Sequence, residues 1–207
     1  MTPESALRAE IVEVGRRMYA RGYTASNDGN ISVRLGTDRL LMTPKSVCKG
    51  FMTPDMMCIT DMTGRKLQGD RDPSSEMLMH LEVYRQRPDA RAVVHAHPKW
   101  STFLTMTGHD YKPVFAQGIL PYPVPVLDTP DSINTREMAD RLAATLGPHP
   151  SALMKSHGAV CVGASIVDAF VLASYLEENA DKIKGLAIDG VEPTFETIAS
   201  TKYVTSR

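Results

Sequence analysis

Hydrophobic residues recur at helical spacing in several stretches of this chain. In the first, Thr2 offers a capping hydroxyl and Pro3 suits the first helical turn. Leu7 and Ile11 then repeat on one face, and Gly22 marks the end of the helix. The same criteria predict further helices at residues 75–86, 100–106, 134–146, 166–186 and 198–203.

Alternating apolar and polar residues predict strands between these helices. Residues 31–35 and 40–42 have the pattern of a β-hairpin around a Gly-Thr-Asp turn. Shorter apolar or β-branched runs predict further strands at residues 56–60, 91–97, 152–154 and 160–162. Five prolines between residues 110 and 130 favour irregular or edge structure, because proline cannot donate a hydrogen bond to a sheet.

Composition narrows the class of protein. The 207 residues suffice for one domain with a sizeable core, and 43% hydrophobic with 23% charged residues is typical of a globular protein. A net charge of -1 predicts no nucleic-acid partner and no anionic-membrane partner. The chain shows no signal-peptide pattern and no transmembrane-length apolar run. Three cysteines without CxxC spacing predict a reducing, cytoplasmic location.

Three histidines and one glutamate form the candidate reactive site. His95 and His97 follow two valines, so on a strand their side chains point to the same face and can hold one ion. His157, in a turn between two predicted strands, is a third candidate ligand. Three imidazoles leave one tetrahedral position open, as in a catalytic zinc site. Glu76 supplies a carboxylate that can move a proton beside the ion.

Two polar segments are candidate anion sites. Residues 24–30 are rich in amide and hydroxyl groups that can bind phosphate or carboxylate, although a connecting turn explains the same composition. Ser74 and Ser75 stand at a predicted helix N-terminus, which also favours anions, although helix capping alone explains them. His80 shares a helical face with Glu76 and either supports that site or is an ordinary helix histidine.

These segments occur in a specific order along the chain. A Gly-Asn-Ile-Ser-Val-Arg loop at residues 29–34 precedes the hairpin, and Pro-Ser-Ser-Glu at 73–76 opens a helix. Val-Val-His-Ala-His-Pro at 93–98 ends a strand, and Ser-His-Gly at 156–158 precedes a long helix. From Leu7 to about Ala180, this set resembles the class II aldolase/adducin family, typified by L-fuculose-1-phosphate aldolase.

The resemblance implies a fold, an assembly and a site. The fold would be α/β of the α+β type, a central mostly antiparallel sheet flanked by helices in three layers, with residues 1–207 as one domain. The assembly would be a homotetramer with active sites between subunits. The zinc ligands would be His95, His97 and His157, with manganese or cobalt as alternatives, and Glu76 would be the catalytic acid/base. The substrate phosphate would be bound by Asn27, Asn30, Ser46, Ser74 and Ser75.

The reaction that the resemblance implies is cleavage of a ketose 1-phosphate to dihydroxyacetone phosphate and an aldehyde. The metal would stabilise an enediolate as a Lewis acid, and Glu76 would transfer the carbon-bound proton. The phosphate binders would orient the reacting carbon. An apolar pocket would raise the pKa of Glu76 towards neutrality and suit it for this task.

Two positions depart from the family's pattern. The segment Thr-Pro-Lys-Ser at residues 43–46 ends in Ser46 where the family has glycine, and it introduces Lys45, a cation that can bind phosphate or carboxylate. Gln117 stands where fuculose phosphate aldolases have a tyrosine that protonates the aldehyde oxygen. Tyr111 and Tyr122 lie nearby in the chain, and Tyr203 in the tail is a candidate for a second family tyrosine that closes over the site.

These departures leave a second reaction open. It is the metal-dependent decarboxylation of a hydroxy-aromatic or keto acid, in which loss of CO2 forms the enolate. Two other activities of the scaffold are disfavoured. Sugar-phosphate 4-epimerases have aspartate at the position of Glu76, and adducin-like binding modules lack the metal ligands that this chain retains.

Overall fold

The computed structural model describes residues 2–108, 111–114, 123–129 and 134–188. Within these ranges the helices are α1 (Glu4–Ala20), α2 (Met77–Gln86), α3 (Lys99–Thr107), α4 (Arg136–Leu146) and α5 (Ile166–Ile188). The strands are β1 (Asn30–Leu35), β2 (Arg39–Met42), β3 (Cys58–Asp61), β4 (Lys66–Gln68), β5 (Ala92–Ala96), β6 (Val126–Leu127), β7 (Ser151–Met154) and β8 (Gly158–Gly163). Two short 3-10 turns occupy Lys49–Phe51 and Pro54–Met56.

The described strands form one sheet in the order β4-β3-β2-β1-β5-β8-β7-β6. The β6–β7 pair is parallel and the other pairs are antiparallel. The predicted hairpin of β1 and β2 is therefore confirmed, and β6 is an edge strand as the prolines around it indicate. The edge strand β4 was missed by the sequence pattern because its three residues are all exposed and include a single apolar side chain, Leu67.

Helices cover both faces of the sheet and produce three layers. On one face α1, α3 and α5 pack on the sheet through residues such as Ile11, Leu104 and Leu176. On the other face α2 and α4 pack through residues such as Met79 and Leu142. This arrangement confirms the predicted fold, a mostly antiparallel sheet flanked by helices.

Strand β5 lies in the middle of the sheet, and its residues contribute to both apolar clusters. Val94 and Ala96 join the cluster on the α1/α5 face, whereas Val93 joins the cluster on the α2 face. Because side chains alternate along a strand, His95 points to the same face as Val93. That face carries α2, and Glu76 lies at the N-terminus of this helix.

Two predicted helix starts differ from the structure. Pro3 is the N-cap of α1 and no side chain caps it, so the predicted Thr2 cap is wrong. Helix α2 begins at Met77 with Glu76 at its N-cap position. Ser74 lies in the preceding turn, where its hydroxyl accepts the N–H of Glu76 at 3.2 Å. Strand β3 also starts later than predicted, because residues 54–56 form a 3-10 turn.

Helix α5 fixes the chain immediately after the HxH segment. The carboxylate of Glu177 accepts the N–H groups of Trp100 and Ser101 at 2.8 Å each, which satisfies the N-terminus of α3. No helix in the described part of the chain, α5 included, combines the length and apolar character that a membrane span requires. The predicted helix at residues 198–203 lies outside the described residues.

Candidate metal centre and anion cavity

Four side chains with metal-ligand chemistry converge at the end of β5. One ligand atom from each of Glu76, His95, His97 and His157 lies within 4.8 Å of the others. The Nε2 atoms of His95 and His97 are 3.0 Å apart, and Nε2 of His157 is 3.1 Å from Oε1 of Glu76. Two nitrogens bound to one tetrahedral ion at ~2.1 Å are about 3.4 Å apart. The spacing therefore fits the ligand set of one divalent ion.

Pairing between β5 and β8 brings the three histidines together. His95 lies opposite Val160, and His157 precedes β8 in the turn from β7. A Cβ atom on Gly158 would lie 2.3 Å from the carbonyl oxygen of Ala96. The absence of a side chain at Gly158 therefore allows β8 to approach β5 closely enough for His157 to reach the other two rings.

The Nδ1 atoms of His95, on β5, and of His97, just beyond the end of β5, have protein partners. Nδ1 of His95 lies 3.0 Å from the carbonyl oxygen of Ala159, and Nδ1 of His97 lies 3.3 Å from a carboxylate oxygen of Asp28. Asp28 in turn accepts the N–H groups of Ala25 and Ser26 at 2.9 and 2.7 Å. Such partners fix the tautomer that presents Nε2 to a metal. Asp28 was not predicted as part of the site, because its surroundings in the sequence are those of an ordinary turn residue.

Glu76 is oriented by a buried chain of hydrogen bonds. Asn30 donates an amide N–H to Oε2 of Glu76 at 2.6 Å, and the Asn30 oxygen bonds Nε2 of His80. Nδ1 of His80 lies 2.7 Å from the hydroxyl of Ser32, and Tyr84 donates to the Ser32 carbonyl at 3.0 Å. His80 was predicted either to support the Glu76 site or to be an ordinary helix histidine. Its link to Glu76 through Asn30 favours the supporting role.

The charged groups of the cluster shift one another's pKa. Burial raises the pKa of the Glu76 carboxyl, but the charge of His95 and the hydrogen bond to His157 outweigh burial and lower it. The expected rise towards neutrality is therefore wrong for this arrangement. Burial and repulsion from His95 lower the pKa of His97 to about 3. A neutral His97 keeps its Nε2 lone pair available for an ion.

The cluster opens into a cavity of about 240 Å³. The cavity is lined by all five predicted phosphate binders, by three members of the cluster, and by two lysines: Asn27, Asn30, Ser46, Ser74, Ser75, Glu76, His97, His157, Lys45 and Lys49. His95 is fully buried beside it. Sequence reasoning missed Lys49, because nothing around it in the sequence indicates that a lysine there is buried. The cavity therefore places groups that can donate hydrogen bonds to an anion next to the candidate metal ligands.

The segment that departs from the family's pattern keeps a glycine-like backbone. Ser46 has a φ of 59°, in the left-handed region that glycine adopts most easily. Ser46 therefore holds a backbone conformation that glycine would adopt with less strain. Lys45, just before it, has an exposed side chain at the cavity.

Of the three tyrosines considered above, Tyr111 lies in the described part of the chain. Tyr111 is buried, and its hydroxyl donates to the carbonyl oxygen of Leu176, so it is not free to act in the cavity. Gln117, Tyr122 and Tyr203 lie outside the described residues.

Comparison with known proteins gives a consistent picture. A family model described as the class II aldolase and adducin N-terminal domain matches residues 9–182. The 3-oxo-tetronate 4-phosphate decarboxylase of Escherichia coli is 33% identical, over 87% of each chain. The methylthioribulose-1-phosphate dehydratase of Pseudomonas syringae is 35% identical, over 79% of this chain and 86% of that protein.

A solved structure agrees with the sequence relatives. The crystal structure of L-fuculose-1-phosphate aldolase from Thermus thermophilus superposes with a TM-score of 0.80 at 30% identity. The match covers 92% of this chain and 100% of the other. The named relatives thus carry out three reactions, an aldol cleavage, a decarboxylation and a dehydration.

Proposed function

This chain belongs to the class II aldolase and adducin family, and from that premise we propose that it cleaves a ketose 1-phosphate to dihydroxyacetone phosphate and an aldehyde. The observation that carries the proposal is the Glu76 carboxylate, which lies among three imidazoles at the end of a polar cavity. Metal-dependent lyase chemistry is the activity of the aldolases in this family. The particular ketose phosphate is proposed to resemble fuculose 1-phosphate.

The donor set suits a divalent metal ion, and we propose zinc, with manganese and cobalt as alternatives. His95, His97 and His157 would hold it, because their nitrogens face one another and two of them have partners on the opposite ring nitrogen. When bound, such an ion acts as a Lewis acid and stabilises negative charge that develops on substrate oxygens.

Glu76 is placed to transfer the carbon-bound proton. Its Oε2 is held by Asn30, and its Oε1 faces the imidazoles of His95 and His157 at 3.5 and 3.1 Å. The depressed pKa keeps the carboxylate ionised, as a base must be before it accepts a proton. Because the Asn30 contact is part of a buried network, the carboxylate has a fixed direction before substrate arrives.

The phosphate of the substrate would lie against the polar wall of the cavity. Asn27, Ser46, Ser74 and Ser75 line this wall with amide, hydroxyl and backbone donors. Asn30 gives one amide hydrogen to Glu76 and keeps the second for substrate. Binding at this end orients the reacting carbon towards Glu76.

A second candidate function is the decarboxylation of a 3-oxo acid phosphate. It is favoured by Lys45, an exposed cation at the cavity that can attract a carboxylate, and by the name of the Escherichia coli relative. Loss of CO2 from a 3-oxo-tetronate 4-phosphate leaves an enediolate, which becomes dihydroxyacetone phosphate when a proton is added. Both candidate reactions therefore use the same proton transfer at Glu76.

The test is exchange of the carbon-bound proton of dihydroxyacetone phosphate in heavy water, followed by NMR. Exchange that stops with a chelator and returns with zinc, manganese or cobalt is expected. No exchange by metal-loaded protein would overturn both candidates. Incubation with aldehydes then tests for a new carbon–carbon bond, and release of CO2 from 3-oxo-tetronate 4-phosphate tests the second candidate.

We also propose that the protein is a homotetramer with active sites between subunits. Phe51 is 70% exposed and its ring lies 5.5 Å from that of Tyr19, which forms an apolar surface suited to a subunit contact. Light scattering should give a tetramer mass, and Phe51→Glu should reduce it. A monomer at all concentrations would contradict this assembly.

A further inference from the structure

A buried lysine at the cavity has no part in the steps described above. Lys49 begins the 3-10 turn after the Lys45 segment and is only 1% exposed. Its side chain lines the same cavity as Glu76 and Ser74. Its ammonium group donates to the carbonyl oxygens of Val47 at 2.7 Å and Asn27 at 3.1 Å.

The charge of this ammonium group is not neutralised by a direct ion pair. Within the described residues, no carboxylate oxygen lies within 4.0 Å of the Lys49 nitrogen. Two of its three hydrogens bond the carbonyls of Val47 and Asn27, which leaves one donor. Burial lowers the pKa of Lys49 to about 8, and the charges of Asp28, Cys48 and Glu76 oppose that shift. Lys49 therefore carries a positive charge at neutral pH.

A buried charge without a counter-ion is costly unless a ligand completes its surroundings. The cavity beside Lys49 is the place where such a ligand would bind, and its other donors suit an oxyanion. A phosphate monoester, which carries close to two negative charges at neutral pH, matches a fixed ammonium group better than a neutral hydroxyl does.

We propose that Lys49 binds the substrate phosphate through its third N–H and makes the cavity selective for phosphorylated substrates. This inference rests on the proposed function for the identity of the ligand. It adds to that function the residue that supplies the buried positive charge.

Lys49 suits this role better than Lys45. The side chain of Lys45 is exposed, so water and salt screen its charge. The ammonium group of Lys49 is held by two carbonyls and its side chain is almost wholly buried, so it loses little freedom when a ligand binds. It also joins the Asn27 loop to the segment that contains Ser46, and both residues line the cavity.

The experiment measures binding of inorganic phosphate to the metal-loaded protein by isothermal titration calorimetry. Lys49→Met retains most of the side-chain volume without the charge, and at least a tenfold loss of phosphate affinity is expected. The matched control is Lys182→Met, which removes the same charge from an exposed lysine on α5 that pairs with Glu178. Its phosphate affinity should equal that of the unaltered protein. Equal affinity in folded Lys49→Met would overturn the inference.

A second measurement covers the case in which Lys49→Met does not fold. In the unaltered protein labelled with 13C at lysine Cε, the Lys49 signal is recognised by its lowered pKa of about 8. Phosphate should shift this signal and raise its titration midpoint, whereas an unchanged signal would overturn the inference. Neither measurement requires turnover. A protein that binds phosphate through Lys49 but fails to exchange the substrate proton would overturn the proposed reaction alone.

Discussion

A carboxylate oxygen of Asp28 lies 3.3 Å from Nδ1 of His97, the ring nitrogen that faces away from the other histidines. The carboxylate is itself fixed by the N–H groups of Ala25 and Ser26. A negative partner on Nδ1 increases the basicity of Nε2 and holds the ring towards the other histidines. The loop before β1 therefore contributes to the candidate metal site without supplying a ligand.

Replacing this carboxylate should weaken metal binding. In Asp28→Asn, we expect zinc affinity to fall about 10- to 100-fold, because an amide can present its N–H to Nδ1 and favour the wrong tautomer. Competition with a chromogenic chelator measures the change. Asp89→Asn is the matched control, since Asp89 is exposed and pairs with Arg87 instead. Unchanged affinity in Asp28→Asn would mean that the contact with His97 is incidental.

Glu76→Gln separates the two roles that the position of Glu76 allows. As the proton-transfer residue, its loss should slow proton exchange on dihydroxyacetone phosphate by roughly 10²- to 10⁴-fold while the metal content stays the same. Exchange is followed by NMR and metal content by atomic absorption. Glu178→Gln, on the exposed side of α5, is the control. Loss of the metal together with activity would instead identify Glu76 as a ligand.

His80 should make stability depend on pH. Burial, followed by repulsion from His95, lowers its pKa to about 3 from the ordinary value of 6.5. Between pH 6.5 and 3, His80 therefore binds a proton in the unfolded chain but not in the folded protein. The free energy of unfolding falls as the pH decreases through this range. This one group contributes up to about 1.4 kcal/mol per pH unit.

His80→Gln should remove that contribution. Urea unfolding between pH 7 and about 5, with chelator present so that metal binding plays no part, should show a shallower loss of stability in the variant. The variant should also be less stable at pH 7 by about 1–3 kcal/mol, because Asn30 and Ser32 lose a buried partner. Identical pH slopes for the two proteins would show that His80 is not the group responsible.

Gly158→Ala should disturb both stability and metal binding. The added Cβ would lie 2.3 Å from the carbonyl oxygen of Ala96 and 2.9 Å from the ring of His97. We expect a loss of about 1–3 kcal/mol in the free energy of unfolding, together with weaker zinc binding. At Gly185, inside α5, the added atom meets nothing within 4 Å. Gly185→Ala should therefore stabilise the protein by up to about 1 kcal/mol. Equal effects at the two glycines would contradict the packing argument.

Local pattern was enough to predict most elements and the four residues that cluster at the candidate metal site. The period of apolar residues predicts the helices and central strands, and the two-residue spacing of His95 and His97 predicts that both rings lie on one side, although β5 itself ends at Ala96. The order of His95, His97, His157 and Glu76 along the chain also indicated the family that the comparisons show. These features depend on residues close in sequence or on a characteristic order, so the chain alone reveals them.

Tertiary structure alone decided how the site is supported. Asp28, Asn30 and Lys49 reach their partners or the cavity through contacts between separate segments, such as the 46-residue separation between Asn30 and Glu76. Burial decides the charge environment as well, and the net lowering of the Glu76 pKa depends on two histidines from other strands or turns. The pKa of a charged group and the partner it binds are set by the groups around it in the folded protein. A sequence pattern does not show which distant residues those groups belong to.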